Sequence, residues 1–286
     1  MKQLLWRLLW SLGALALVSG CRAMIPAPQT LRLYDLAAGR EVADQAALAR
    51  LAPARIVLVG EHHTDAAHHQ AQLAVIQALH RSGRKVAIGL EMFRKDAQAE
   101  LDRWVAGGLD EAAFKPIYLD NWNFDWPLYR PIFAYARQNR LPMVGLNVPR
   151  EVTRQVAREG FDSLSESQKG ALGEISCEVT PQYREFVREA YGFHPHGRMT
   201  FDHFCQAQLL WDTAMALHAT QYLDQHPDTV MVLLAGAGHV HKLGIPAQLD
   251  KLGAVPHVVI MPQSSEAPEP DGVTIEEADY LIFSEF

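Results

Sequence analysis

Cysteine is scarce in this chain of 286 residues, since only Cys21, Cys177 and Cys205 are present. None of them has CxxC or zinc-knuckle spacing, and the sequence leaves open whether Cys177 and Cys205 form a disulfide or remain buried thiols. Basic residues are also few. The 26 Lys and Arg residues face 33 Asp and Glu residues, which gives a formal net charge of −7 and argues against nonspecific nucleic-acid binding.

Phosphate-binding glycine motifs, internal repeats and long low-complexity tracts are absent as well. These absences exclude GxGxxG and GxxxxGK[ST] nucleotide sites and repeat architectures. What remains is a chain with 49% hydrophobic residues, which is enough to fill the core of one large domain or two modest ones. Collagen-like, coiled-coil and wholly disordered architectures are therefore set aside.

The N-terminus has the pattern of a secretory signal over residues 1–20, because Lys2 and Arg7 precede the mostly apolar run Leu8–Val18. This run is shorter than the about 20 residues that a membrane-spanning helix needs. The segment Val18-Ser19-Gly20-Cys21 resembles a bacterial lipobox, in which the cysteine is lipidated and becomes the mature N-terminus. Arg22 stands where many inner-membrane lipoproteins carry aspartate, so we expect an anchor in the outer membrane.

Apolar runs of strand length recur along the rest of the chain, and helical patterns separate several of them. The runs are Leu31–Leu36, Ile56–Val59, Val86–Leu90, Met143–Leu146, Val230–Leu234, Val258–Met261 and Tyr280–Phe283. The clearest helical pattern is Ala66–Arg81, with Thr64 or Asp65 as its N-cap. This alternation predicts an α/β fold with a mainly parallel sheet flanked by helices on both faces. Residues 21–53 are predicted to be the lipidated cysteine, a tether and an N-terminal extension, and 54–286 the α/β domain.

Residues from about 150 to 226 show helical patterns only, which predicts a helical insertion or lid. Thr180 is suited to cap a helix that starts at Pro181 and ends at Gly192. In the longer helix that follows, Gln208 and Asp212 fall on an otherwise apolar stripe. Polar groups there need partners, and structural hydrogen bonds to a neighbouring loop are the favoured interpretation.

Carboxylates and imidazoles follow three of the predicted strands. The first strand runs into Gly60-Glu61-His62-His63, the second into Glu91, and a later one into Gly236-Ala237-Gly238-His239. Ligands bind outside the carboxyl ends of strands in open parallel sheets, so we expect these groups to meet at one edge. Adjacent helical residues point about 100° apart, so at most one of His68 and His69 faces this edge and the other is expected at the surface.

Two chemistries suit this set of side chains. Imidazoles and a carboxylate can bind a divalent metal ion, with His63, His239 and either Glu61 or Glu91 as ligands and one position open for water. Alternatively, an imidazole can act as a general base that a carboxylate orients. A lone strand-end histidine is more often structural, but two GxxH spacings with two glutamates favour a functional site.

A second candidate site lies in the helical insertion, where Tyr183, Tyr191, His194, His196 and His203 stand among several phenylalanines. A tyrosine oxygen is a hard donor suited to ferric haem, and histidine suits either oxidation state of the iron. The pattern alone favours an aromatic core between two helices over a haem site.

Four segments together resemble the ChaN family of iron-regulated, haem-binding lipoproteins, and the similarity covers nearly all of the mature chain. They are Gly60-Glu61-His62-His63, Gly89-Leu90-Glu91-Met92-Phe93, Gln208 with Trp211-Asp212, and Gly236-Ala237-Gly238-His239. The resemblance implies an α/β sandwich with a helical insertion, attached at the outer membrane on its periplasmic face. It also implies haem or iron acquisition by a haem-loaded homodimer that serves an outer-membrane receptor.

The resemblance further implies a tyrosine ligand to the haem, for which Tyr183 and Tyr191 are the candidates, with His194 and His196 nearby. ChaN proteins are also similar to the Tiki proteases and erythromycin-esterase-like enzymes, whose active sites use paired GxxH motifs and glutamates. Here the catalytic residues would be Glu61, His63, Glu91 and His239. The implied alternative function is therefore a metal-dependent hydrolase, with a divalent metal ion beside haem as the candidate cofactors.

Overall fold

Strands account for every apolar run singled out in the sequence. The computed structural model describes residues 30–172, 175, 177–192, 199–263 and 272–283. The strands are β1 (Arg32–Asp35), β2 (Arg40–Ala43), β3 (Ile56–Glu61), β4 (Lys85–Arg94), β5 (Met143–Asn147), β6 (Thr229–Gly236), β7 (His257–Gln263) and β8 (Tyr280–Phe283). Within the described residues they form one eight-stranded sheet in the order β2-β1-β8-β7-β3-β6-β4-β5.

The sheet is mainly parallel, as predicted. Strands β3 to β8 run parallel to one another, whereas β1 is antiparallel to both β2 and β8. Every residue of β3 is buried, because a central parallel strand is covered by helices on both faces and is therefore apolar throughout. Strand β2 had no signal in the sequence, since only one of its four residues, Val42, is buried.

Helices cover both faces of the sheet. They are α1 (Asp44–Leu51), α2 (Ala66–Arg81), α3 (Gln98–Val105), α4 (Glu111–Asn121), α5 (Trp126–Asn139), α6 (Arg150–Glu159), α7 (Glu166–Leu172), α8 (Pro181–Gly192), α9 (Phe201–Gln225), α10 (Ala237–Val240) and α11 (Ile245–Lys251). Helices α1 to α5 pack on one face, and α9 to α11 pack on the other. The predicted span of α2 is confirmed, with Asp65 as the N-cap that accepts from the backbone N–H of Ala67 at 2.8 Å.

A cluster of aromatic side chains fills the space between α3, α4, α5 and the sheet. Its fully or nearly fully buried members are Phe93, Trp104, Phe114, Tyr118, Trp126, Tyr129 and Phe133. The rings of Trp104 and Phe114 stack with centroids 4.4 Å apart. This packing fixes α5 against the sheet, and α5 carries Tyr129 to the end of β3.

The predicted insertion contains only helices among its described residues, from α6 to α9. Helix α8 packs on α9 through a small apolar cluster that includes the buried Cys205. Cys205 and Cys177 are free thiols, and the Cys177 Sγ donates to the backbone oxygen of Gln206. The signal segment, Cys21, His194 and His196 lie outside the described residues. Across the described part of the chain, no helix combines the length and apolarity needed to span a membrane.

Candidate active site at the carboxyl ends of three strands

Strands β3, β6 and β4 are consecutive in the sheet, and their carboxyl ends carry the predicted residues. Glu61 is in register with Gly236, and Leu90 with Leu234, so Glu91 follows directly beside the end of β6. Both glutamates are buried, with relative exposures of 2% and 4%. The sheet therefore brings the strand-end groups together at one edge.

The strand-end carboxylates and imidazoles lie around the backbone of Gly236. Its backbone N–H donates to Glu91 Oε2 at 2.6 Å, and a Cβ at this position would lie 3.0 Å from Cε1 of His63. Only glycine leaves room for so close an approach of the imidazole to the backbone. On the other side, His239 Nε2 is 3.8 Å from Glu91 Oε1. The two imidazoles thus flank the Glu91 carboxylate.

A bulge in the β4–β5 pair sets the direction of Glu91. The register of Leu90 with Gly145 shifts before pairing resumes between Arg94 and Asn147. Gly145 is required here, because a Cβ would lie 2.5 Å from the carbonyl oxygen of Arg94. The Asn147 side chain then donates to the carbonyl oxygen of Glu91 at 3.0 Å. Bulges of this kind re-aim side chains near functional sites.

Glu61 accepts hydrogen bonds from three neighbours and contacts a fourth. His63 Nδ1 lies 2.8 Å from Glu61 Oε1, which also accepts from the Tyr129 hydroxyl. Gln72 Nε2 donates to Oε2 at 2.9 Å, and His69 Nδ1 lies 3.1 Å from the same oxygen. Burial raises the pKa of Glu61, but the bonds from His63, His69 and Tyr129 and the charge of His69 outweigh it, so the pKa falls to about 2. Glu61 is therefore a permanent carboxylate that orients His63.

His239 has the corresponding partner in Asp212 on α9. Its Nδ1 is 2.6 Å from Asp212 Oδ1, and the Tyr183 hydroxyl donates to Oδ2 at 2.6 Å. Burial lowers the pKa of His239, but the charges of Asp212 and Glu91 and the hydrogen bond to Asp212 raise it to about 9. Burial raises the pKa of the Asp212 carboxyl, which His239 and Tyr183 oppose. His239 is therefore an imidazolium ion at neutral pH.

Each imidazole is thus held by a carboxylate at Nδ1, which leaves Nε2 free to act on a ligand. Burial lowers the pKa of His63, yet the hydrogen bond to Glu61 and the charges of Glu91 and Glu61 raise it above its usual value. Trp122 lies edge-on to His63 with centroids 4.9 Å apart, and Trp211 lies edge-on to His239 at 5.5 Å. The arrangement brings one carboxylate and two carboxylate-oriented imidazoles to the same small space, which is suited to general acid–base chemistry.

A family model described as "Haem-binding uptake, Tiki superfamily, ChaN" matches residues 47–249. The chain belongs to this family. The resemblance seen in the sequence motifs is therefore confirmed, and the match covers strands β3 to β6 and the whole of the helical insertion.

ChaN of Campylobacter jejuni, solved with cofacial haem, is similar in fold. It has a TM-score of 0.65 and 18% identity, and the match covers 88% of this chain and 96% of that one. An erythromycin esterase mutant in its open conformation matches with a TM-score of 0.46 and 14% identity over 80% of this chain and 76% of that one. Protein RETICULATA-RELATED 5, chloroplastic, of Arabidopsis thaliana is 28% identical over 78% of this chain. The chain spans 33% of the length of that plant protein.

The remaining predicted ligands lie outside the strand-end cluster. Tyr183 is 5% exposed and its hydroxyl is bound to Asp212, so it faces His239 and not an open surface. Tyr191 is half-buried at the end of α8, where its hydroxyl donates to the backbone oxygen of Met199 at 3.2 Å. His203 Nδ1 contacts the backbone oxygen of Arg158.

The predicted metal centre is not supported by the geometry. In the ranges that the structure describes, no group of three or more His, Cys, Asp or Glu side chains is placed to hold a metal ion. His63 and His239 use Nδ1 for their carboxylate partners, and the Nε2 atoms are not assembled with further ligands in that part of the chain. We therefore assign no step to a metal.

The surface placement expected for one of His68 and His69 is wrong, since their exposures are 3% and 2%. His68 turns inward because its Nδ1 accepts from the backbone N–H of His62 at 2.9 Å, while His69 contacts Glu61. No sequence pattern indicated that Tyr129 is a partner of Glu61. The sequence did indicate a role for Asp212, because a carboxylate on an apolar helical stripe needs a partner. Its partners are Tyr183 and His239, and not the neighbouring loop that was expected.

Proposed function

We propose that the protein binds haem and takes part in haem or iron uptake at the outer membrane of a bacterium. Membership of a family of haem-binding uptake proteins is the observation that supports haem binding. The similar ChaN of Campylobacter jejuni holds its haem cofacially. We accordingly propose a homodimer that carries haem and exchanges it with an outer-membrane haem receptor.

Cys21 is the proposed attachment point to the membrane. Residues 18–21 have the lipobox pattern, and stable anchoring requires more than one acyl chain, which a lipidated N-terminal cysteine provides. Labelled palmitate should be incorporated into the full chain during expression in a bacterium. A Cys21→Ser variant should incorporate none and should be recovered in the soluble fraction.

Tyr191 is the proposed axial ligand of the haem, in preference to Tyr183. Its side chain is half-buried at the end of α8, whereas Tyr183 is buried and engaged by Asp212. His194 and His196 follow within a few residues and remain candidates for the second contact with the haem. Tyr191→Phe should weaken the Soret band that hemin produces, and Tyr183→Phe on the same helix is the matched control. A Soret band that is equal in Tyr191→Phe and the unaltered chain would contradict the assignment.

The strand-end cluster favours a second activity, and we propose that this cluster hydrolyses an ester or amide by general acid–base chemistry. The observation that carries this proposal is the pair of carboxylate-bound imidazoles that flank Glu91. Purely structural histidines would not require a further buried carboxylate, Glu91, beside them.

The proposed reaction uses Glu91 as the base and His239 as the acid. Water attacks the carbonyl carbon while Glu91 takes its proton, and the His239 imidazolium gives a proton to the departing oxygen or nitrogen. The proton on Glu91 then returns to His239 across the 3.8 Å between Oε1 and Nε2. His63, held by Glu61, donates a hydrogen bond to the negative charge that develops on the carbonyl oxygen.

Hydrolysis of p-nitrophenyl acetate tests the second activity. Glu91→Gln and His239→Gln should each lower the rate by about a hundredfold or more, the range for loss of a general acid or base. His257→Gln is the control, because this histidine lies at the opposite end of β7 and its Nδ1 contacts the backbone oxygen of Val255. Equal rates in Glu91→Gln and the unaltered chain would refute the proposal.

A further inference from the structure

A cavity of about 290 Å³ opens beside Glu91, and Glu61 is not among its lining residues. Trp122 and Trp211 form two of its walls, and these are the indoles that contact His63 and His239. The volume is at the lower end of the range for small-molecule sites, so it suits a small metabolite or one end of a longer molecule. A ligand in this cavity would therefore touch the strand-end cluster.

The lining of the cavity is strongly basic. Arg94, Arg150 and Arg154 contribute three guanidinium groups, and Glu91 is the one acidic side chain among the lining residues. This is unusual for the chain, whose acidic residues outnumber its basic ones. Positive charge is therefore concentrated in the lining of this cavity.

Two of these three guanidinium groups keep their charge available. Arg94 is paired with Asp96 at 3.2 Å and Asp120 at 2.8 Å. Arg150 is held instead by neutral acceptors, the backbone oxygens of Asp120 at 2.8 Å and Asn121 at 3.0 Å. Arg154 stands one turn further along α6 and forms no ion pair with any residue that the structure describes.

We infer that this cavity is a binding site for an oxyanion, a carboxylate or phosphate group, that Arg150 and Arg154 hold at the end remote from Glu91. Guanidinium groups bind both anions through paired hydrogen bonds, which fixes the orientation of the ligand as well as its position. Glu91 repels the anion, so the uncharged part of the ligand is directed at Glu91 and His239. The claim that this ligand is a substrate rests on the proposed hydrolysis. The claim that it binds in the cavity is independent of the hydrolysis.

Binding is measured with inorganic phosphate and with succinate, followed by tryptophan fluorescence, because Trp122 and Trp211 line the cavity. The unaltered chain should bind at least one of the two anions saturably, and Arg150→Gln/Arg154→Gln should weaken this by about tenfold or more. Both side chains are exposed, so the double variant should fold normally. Arg158→Gln is the matched control on α6, since Arg158 is exposed and does not line the cavity.

The inference is overturned if neither anion binds, or if the double variant binds as well as the unaltered chain. Which of phosphate and succinate binds more tightly decides between a phosphate and a carboxylate ligand. Hemin, which carries two carboxylates, is titrated in parallel. Weaker hemin binding by the double variant would assign the site to haem, and unchanged hemin binding would assign it to a different anion.

Kinetics separate this inference from the proposed hydrolysis. The unaltered chain should show a lower KM for p-nitrophenyl hemisuccinate than for p-nitrophenyl acetate. The double variant should lose this preference, so that its KM values for the two esters become similar. If neither ester is cleaved, the hydrolase proposal fails, and the fluorescence titration still decides whether the anion site exists.

Discussion

The pKa of His239 is predicted to depend on Asp212. At about 9 it lies about 2.5 units above the ordinary value of 6.5, which corresponds to about 3 kcal/mol in favour of the imidazolium. Asp212 is the hydrogen-bonded carboxylate at 2.6 Å, while Glu91 is at 3.8 Å. Asp212→Asn keeps the shape and removes the charge, so the pKa of His239 should fall by about 2 units.

Histidine NMR signals titrated from pH 5 to pH 10 measure this shift. The chain has 13 histidines, so the His239 signal is assigned by its loss in His239→Gln. Asp202→Asn is the matched control, since Asp202 lies on the same helix and pairs with Arg184. A pKa of His239 that moves by less than half a unit in Asp212→Asn would refute the reasoning.

The same pair makes stability depend on pH. Because the pKa of His239 is raised on folding, its contribution is fully present below pH 6.5 and is lost as the pH rises through about 9. Urea unfolding should therefore give a free energy that falls between pH 6.5 and pH 9.5. The decline should be smaller in Asp212→Asn.

Three further predictions concern stability and geometry. Folding lowers the pKa of Glu61 to about 2, so its carboxylate stabilises the folded state by about 3 kcal/mol above pH 4.5. This stabilisation is lost as the pH falls towards 2. Urea unfolding of Glu61→Gln should lack that acid dependence. Gly236→Ala should displace His63 and reduce hydrolysis more than Gly238→Ala, whose Cβ would meet nothing within 4 Å; equal rates would contradict the geometry. Phe114→Ala should cost about 3–5 kcal/mol by urea unfolding, because the ring is fully buried in the aromatic cluster, and a loss below about 1 kcal/mol would contradict that packing.

The central part of the fold follows directly from the sequence. Runs such as Ile56–Val59 and Val230–Leu234 are apolar throughout because both faces of the sheet are covered, and this is a strong signal. Strand β2 carries no such signal, since three of its four residues face solvent. Its place depends on pairing with β1, which sequence periodicity does not report.

The sequence predicts some residues of the candidate site and misses others, for a similar reason. The positions of Glu61, Glu91 and His239 follow from the rule that functional groups collect at the carboxyl ends of parallel strands. Tyr129 reaches Glu61 from a helix 68 residues away, and this contact depends on how α5 packs. Arg150 and Arg154 are likewise distant from Glu91 in the chain, and single arginines on a helix have no distinctive pattern.

Haem binding is the central claim, and a hemin titration followed by the mass of the intact complex tests it most directly. We predict a Soret band that saturates as hemin is added, together with a complex whose mass is that of two chains with haem. No band, or a band that grows without saturation while the protein keeps the mass of one chain without haem, would contradict the claim.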